Sequence, residues 1–273
     1  MSGAFAMGPA LLFCPADRPD RYAKAAERAD AVILDLEDAV APDRKSAARD
    51  ALLSHPLDPA RTIVRVNSWG SQYFADDIVA LAHTEYRTVM VAKVENAEQV
   101  SGLEKYALLA LVETAAGVVH ASEIAAADHV VGLMWGAEDL VASLGGTSSR
   151  NPDGGYRDVA RHARSTVLVA AAAAGKSAID AVHVDIADLA GLEAEATDAA
   201  AVGFAATACI HPSQVETIRR CYAPTEAEAH WARRVLEAAE GNRGVFTLDG
   251  RMVDAPIVRH ARRVVRDLGA PPP

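Results

Sequence analysis

Cysteine is scarce: Cys14, Cys209 and Cys221 are the whole supply in 273 residues. They are too few and too scattered for a disulfide framework, and no CxxC spacing offers a zinc site. Cys14 and Cys209 fall in predicted strands, where a thiol serves as a small buried apolar group. No apolar stretch approaches the ~18 residues of a membrane span. The opening MSGAFAMGPA lacks the basic start of a signal peptide, so a soluble cytoplasmic protein with no membrane partner is expected. Basic residues are outnumbered, 27 Lys and Arg against 37 Asp and Glu, for a formal charge of −10. That balance argues against wrapping of nucleic acid, although it leaves room for a local basic pocket around an anionic ligand. Aromatic residues make up only 5% of the chain while 51% is hydrophobic, much of it alanine. SLGGTSSRNPDGGYR has glycine pairs but no GKS or GKT, so it is not a P-loop. No Gly/Ser linker marks a second core, and no adenine-binding pattern is visible.

What is present is alternation. Short β-branched or Leu-rich runs predict strands at about 10–15, 31–37, 62–67, 88–94, 107–113, 130–136, 179–186 and 206–211. Ala-rich helical patterns fill the gaps at 22–29, 44–53, 74–82, 97–105, 117–127, 158–174, 189–202 and 213–221. Eight strand–helix units are the count that closes an α/β (β/α)8 TIM barrel, and the length can bury one large core. This barrel is expected to be the catalytic domain over residues 1–222. A C-terminal helical and hairpin extension follows over 223–273, with helices near 225–240 and 257–268 and a hairpin in GVFTLDGRMVDAP turning at Asp249-Gly250. The extension is expected to act as a lid or oligomer contact, and Pro271-Pro272-Pro273 reads as a frayed tail.

Barrel enzymes work where strands end and βα loops begin. Two acidic pairs sit at such ends, Glu37-Asp38 in AVILDLEDAV and Glu138-Asp139 in VVGLMWGAEDL, and Glu113 closes ALLALVET. Carboxylates gathered at the tips of buried strands repel one another and are costly to desolvate. A divalent cation would offset that cost, and Mg²⁺ takes one or two carboxylates together with water and substrate oxygens. Glu113 and Asp139 are the expected ligands; the plain alternative is an ion pair with Arg65 or Lys93. Of Glu37 and Asp38, neighbours facing opposite ways, one is expected to hold metal-bound water and the other to brace a basic side chain, unless Asp38 caps a helix. Arg65, between Val64 and Val66, is expected to point inward, where its planar fork suits a substrate carboxylate; permanent pairing with Glu37 or Glu113 is compatible with that role. Lys93 could neutralise the same cluster. Arg18 and Lys24 near the first βα loop could grip phosphates, although each also reads as a solvated surface charge. His211, before Pro212-Ser213-Gln214, reads first as a strand end with Ser213 capping the next helix, and second as a ligand contact.

Taken in order, FCPADRP, VILDLEDAV, IVRVNS, VAKVE, ALVETAAGV, MWGAEDL, CIHPSQ and DGRMVDAP resemble the citrate lyase β-subunit family. Its relatives include malyl-CoA, citramalyl-CoA and related 3-hydroxyacyl-CoA lyases. The ordered set spans nearly the whole chain and is specific where single pieces are not. The resemblance implies a Mg²⁺-dependent barrel that breaks or forms a carbon–carbon bond between an oxo acid and an acyl-CoA thioester. By motif it implies Glu113 and Asp139 as metal ligands and Arg65 on the substrate carboxylate. Glu37 and Asp38 match acidic residues behind them, and the backbone of Gly136, Ala137 and Glu138 would meet the oxo acid. Arg18 and Lys24 become candidates for coenzyme A. Asp254 matches an aspartate that, in the malyl-CoA lyase branch, comes from an adjacent subunit of a homotrimer; capping of the helix after it is the plain alternative. Three other readings stay open: a β-subunit-like component of a citrate lyase complex, a non-catalytic CoA- or oxo-acid-binding protein, and a CoA-independent aldolase.

Overall fold

A computed structural model describes residues 5, 7–242 and 244–269; the expected proline tail and residues 1–4 lie outside that range. The chain divides into two compact units, Met1–Arg219 and Arg220–Pro273.

In the first unit eight parallel strands close in sequence order, the first pairing with the eighth through Leu12 and Cys209. They are β1 (Ala10–Pro15), β2 (Ala31–Asp35), β3 (Thr62–Val66), β4 (Thr88–Val91), β5 (Ala107–Val112), β6 (Val130–Trp135), β7 (Ser177–Asp180) and β8 (Ala206–Cys209). Around them run α1 (Tyr22–Arg28), α2 (Lys45–Ser54), α3 (Phe74–Ala82), α4 (Ala115–Val119), α5 (Ala121–Ala126), α6 (Ala137–Ser143), α7 (Asp158–Ala173), α8 (Leu189–Val202) and α9 (Val215–Tyr222). The barrel interior is filled by Leu11, Ile33, Ile63, Met90, Leu109, Leu111, Met134 and Ile179, all buried. Successive strand residues alternate faces, so the next inward positions after Ile33, Ile63 and Leu111 are Asp35, Arg65 and Glu113. Where the apolar layers stop, a charged layer begins.

Several boundaries differ from the sequence reading. The seventh strand runs 177–180, not 179–186, and Ala181–Val182–His183 forms loop instead. The fourth helix is reduced to a single 3₁₀ turn at Ala97–Val100. The fifth breaks at His120 into α4 and α5. An additional helix, α6, begins directly after β6, so Glu138 and Asp139 belong to a helical first turn rather than a strand end.

The second unit contains α10 (Glu226–Glu240), β9 (Phe246–Leu248), β10 (Arg251–Val253) and α11 (Ala255–Gly269). Thr225 and Glu228 form a reciprocal cap at the start of α10. The β9–β10 turn sits at Asp249-Gly250, both at positive φ, 51° and 75°, the conformation a tight hairpin requires. Ala232 and Val235 of α10 pack with Ala261 and Val264 of α11 in a core of their own. Among the described residues no helix is long and apolar enough to cross a membrane.

Candidate active site and metal centre

The charged layer is built on strand register. Asp35 and Arg65 are cross-strand partners of β2 and β3, and Arg65 donates from Nε to Asp35 Oδ1 at 2.7 Å and from Nη2 to Oδ2 at 2.6 Å. Arg65 Nη1 lies 3.0 Å from Glu37 Oε2, and the guanidinium carbon sits 4.9 Å from the Phe13 ring centre. Burial alone would lower the Arg65 pKa, but the Asp35, Glu37 and Glu113 carboxylates raise it. Asp35 also accepts the Glu37 and Ala39 N–H groups, which turns the chain at the end of β2. Lys45, buried at the start of α2, donates to Leu36 O, Glu37 O and Asn67 Oδ1 at 2.6–2.9 Å. These bonds pin the backbone that carries Glu37.

Glu113 follows β5 and is 3% exposed. Burial first, and then the Asp139 carboxylate, push its pKa up to about 8. Gly136 stands over it: a Cβ there would come 2.6 Å from Glu113 Oε2, so glycine leaves room for the carboxylate. One cation reaches four of the acids. Lys93 Nζ lies 2.5 Å from Glu37 Oε1, 3.0 Å from Asp38 Oδ2, 3.3 Å from Asp139 Oδ1 and 4.0 Å from Glu113 Oε1. Burial raises the Glu37 pKa more than Arg65 and Lys93 lower it. At Asp38 burial acts upward too, but the bond from Lys93 turns the net shift downward. Asp38 does not serve as a helix cap; it is an outer partner of Lys93.

Asp35, Arg65, Glu113 and Asp139 border a cavity of about 190 Å³, lined also by Gly136, Ala137 and Glu138. Its donors for a cation are carboxylate oxygens, which suit a hard ion such as Mg²⁺. Glu113, buried with a pKa pushed upward, is a carboxyl whose ionised form gains from an added positive charge. The residues therefore fit a divalent cation. Among the described residues no group of three or more His, Cys, Asp or Glu forms a ready cage, and Mg²⁺ asks for fewer protein ligands than that.

Arg18 pairs with Asp20 in an exposed position, Lys24 is exposed on α1, and His211 caps a 3₁₀ turn through Ser213 N. Asp254 belongs to the second unit, where its Oδ1 accepts the Ile257 N–H at the start of α11. Several residues of the mouth escaped the sequence reading. Asp35 carries a sequence signal, since it shares the inward parity of Ile33. Lys45 carries no sequence signal. Two further groups brace the β6–β7 side. Trp135 Nε1 and Arg164 converge on buried Asp180. Arg150, which stacks 4.1 Å from the Tyr156 ring centre, holds Glu195, and Glu195 Oε2 meets His183 Nδ1 at 2.9 Å. Ser149 donates to Glu138 at 2.6 Å, so the loop held by Arg150 also touches α6.

The His183 ring is buried, with Asp188 3.3 Å from Nε2, and its bond to Glu195 raises its pKa above 6.5 against burial and Arg150. A raised histidine stabilises the fold fully below its unfolded pKa, and that contribution is lost as pH rises through the folded value. His183→Gln should therefore cost about 1.5–3 kcal/mol at pH 6, the range for a hydrogen bond to a charged group, and less at pH 9. Urea midpoints at the two pH values check this; an equal or larger loss at pH 9 would contradict it.

Fold and site together define a parallel-barrel enzyme whose acidic mouth is organised around cations. The family model for HpcH/HpaI aldolase/citrate lyase matches residues 10–212. The citrate lyase subunit beta-like protein of Mycobacterium tuberculosis is 59% identical over 264 residues, 97% of each chain. The (3S)-malyl-CoA thioesterase of Cereibacter sphaeroides is 34% identical over 269 residues, covering 93% of this chain and 92% of its own. Among solved structures, protein CitE from Mycobacterium tuberculosis in complex with magnesium, acetoacetate and coenzyme A superposes with a TM-score of 0.94. It is 58% identical and covers 97% of this chain and 99% of its own. The chain belongs to the HpcH/HpaI aldolase/citrate lyase family and is, with it, a lyase.

Proposed function

We propose that this protein is a Mg²⁺-dependent carbon–carbon lyase that cleaves a 3-hydroxyacyl-CoA of the malyl-, citramalyl- or hydroxymethylglutaryl-CoA type into an oxo acid and an acyl-CoA. The observation that carries the reading is buried Glu113, sharing one cation with Asp139 at the wall of a cavity that Arg65 also lines. The magnesium, acetoacetate and coenzyme A bound by the mycobacterial relative supply the ligand classes.

Glu113 and Asp139 would hold the ion, which when bound supplies Lewis acidity to the oxo-acid carbonyl and a template for its carboxylate. Arg65 has five N–H donors. Asp35 takes two and Glu37 faces a third, which leaves two on the outer edge for the substrate carboxylate. Asp35 and Glu37 thus position Arg65, and its charge is held against developing anion in the transition state. Ala137 and Glu138 open α6, where backbone N–H groups have no intrahelical acceptor; with Gly136 they form the opposite side of the oxo-acid site. Arg18 and Lys24 are assigned to the coenzyme A phosphates, and residues 223–273 to a lid reaching a neighbouring protomer of a homotrimer.

As the carbon–carbon bond breaks, the 3-hydroxyl of the substrate releases its proton to solvent and becomes the oxo-acid carbonyl, while the electrons of the broken bond pass to the acyl-CoA fragment, which takes one proton at its α-carbon. Asp254, supplied by that neighbour, is the assigned acid, and in condensation the base. Its backbone bond makes an alanine substitution ambiguous, so Asp254→Asn is the informative change, because asparagine caps as well as aspartate. We expect the rate to fall about 10²–10⁴-fold, the usual worth of a general acid, while the thermal midpoint and oxo-acid affinity hold. Normal turnover by Asp254→Asn would remove the residue from the mechanism.

The reaction class is tested by mass spectrometry of a panel of 3-hydroxyacyl-CoA thioesters incubated with protein and Mg²⁺. Acetyl-CoA or propionyl-CoA appearing with an oxo acid supports the reading. Turnover only on an acyl-carrier protein would favour a citrate lyase β component. Thioesters unchanged after prolonged incubation would favour a binding protein.

A further inference from the structure

Lys93 stands out in the mouth of the barrel for two reasons. Its ammonium is within 4.0 Å of four carboxylates from three different βα segments, Glu37, Asp38, Glu113 and Asp139. Its backbone adopts φ +53°, a left-handed conformation uncommon outside glycine and often found at functional sites. In that conformation the Lys93 N–H donates to Glu113 Oε1 at 3.2 Å. One residue therefore grips Glu113 through its main chain and draws the other acids together through its side chain.

We propose that Lys93 is a built-in counter-cation that gathers Glu113 and Asp139 and competes with the divalent ion for them, so that this side chain sets the affinity for metal. The inference rests on the reading of Glu113 and Asp139 as ligands given above. An ion bound to the Asp139 oxygen at the ~2.1 Å typical of Mg²⁺ would sit within roughly 5.4 Å of an ammonium that is 3.3 Å from that oxygen. A double and a single positive charge at such separation repel strongly in a partly desolvated site. The lysine has somewhere to go. Its side chain is 28% exposed, and its Asp38 partner is the outermost of the four acids at 61%. Shifting toward Asp38 gives up Asp139 without stranding the charge. Loss of the ammonium would also make Glu113 harder to ionise, which opposes metal binding, but that affects one ligand while the repulsion acts on the ion itself. Removal of the charge should therefore tighten binding, whereas damage to a merely structural residue would weaken it.

The test is calorimetric titration of the full-length protein with MgCl₂, without substrate, at fixed pH and ionic strength. Lys93→Met should bind Mg²⁺ at least about tenfold more tightly than the wild type, about 1.4 kcal/mol. Lys93→Arg, which keeps the charge, should stay within about threefold, or about 0.7 kcal/mol. Lys93→Gly accepts the left-handed backbone and keeps the N–H to Glu113, so it should tighten as Lys93→Met does. In EDTA both neutral variants should melt lower than the wild type, and millimolar Mg²⁺ should restore them. Unchanged or weaker Mg²⁺ binding in both neutral variants would overturn the proposal, as would a loss of folding in both that Mg²⁺ does not restore. Absence of Mg²⁺ binding by the wild-type protein itself would instead bring down the underlying assignment of the metal centre, and this proposal with it.

Discussion

Glu113→Gln is expected to reduce Mg²⁺-dependent turnover by a thousandfold or more while leaving the folded protein at least as stable in EDTA. Even residues that merely support metal ligands typically cost about 10–100-fold when changed, and a direct carboxylate ligand should cost more. The stability half of the prediction follows from burial. Glu113 is 3% exposed, and burial followed by repulsion from Asp139 pushes its pKa up to about 8. A carboxyl whose folded pKa lies above its unfolded value binds its proton more tightly in the native state. Its contribution is fully present below the unfolded value near 4.5 and drains away as pH rises through about 8. Glutamine does not titrate, so the variant should lack that loss. Urea unfolding in EDTA at pH 5 and pH 9, beside turnover at saturating Mg²⁺, separates the two effects. A variant retaining a tenth of wild-type activity would remove Glu113 from the metal centre. A wild-type stability that rises from pH 5 to pH 9 relative to the variant would contradict the account of its burial.

The barrel was legible because its information is periodic. Eight alternations of β-branched and Ala-rich segments survive errors of a few residues at each boundary, and closure depends on the count. Events at the strand ends are less legible because they depend on where a strand stops. Trp135 ends β6 and Ala137 begins α6 with only Gly136 between, yet VVGLMWGAEDL reads equally well as a strand carried one residue further. The run after Asp180 is apolar enough to be taken for strand, but the chain leaves the sheet there. Buried Asp180 takes Trp135 Nε1, Arg164 and the Ala181 N–H, and such side-chain demand overrides local propensity. The acidic cluster was visible as strand-end carboxylates. Lys93 was readable too as a charge that could neutralise it, but which acids its ammonium meets was not, because Lys93 and Glu37 are 56 residues apart and no local pattern encodes their pairing. Asp35 marks the boundary between the two situations. Period-two logic places it inside beside Arg65, so its role could be read from the same alternation that revealed the barrel.

Arg65→Met should produce the largest combined loss of stability and catalysis, because Arg65 has two unrelated obligations. Asp35 is 1% exposed, and beyond backbone N–H groups from Glu37 and Ala39 its compensation is the bidentate guanidinium. Deleting one partner of a buried pair strands the other charge, at a cost of about 3–5 kcal/mol. The outer edge of the same guanidinium is the assigned anchor of the substrate carboxylate, so kcat/KM should fall by about 10²–10³ through lost charge stabilisation. The two losses can be separated with Asp35→Asn. In the double variant Asp35→Asn/Arg65→Met no buried charge is stranded, and unfolding free energy should recover by more than the single changes predict by addition. Activity should not recover, since nothing replaces the fork. Arg65→Lys should also fail to restore activity, because an ammonium cannot present paired donors to Asp35 and a substrate together. If the double variant regained turnover along with stability, Arg65 would be a structural partner of Asp35, and the carboxylate of the substrate would have to be held elsewhere.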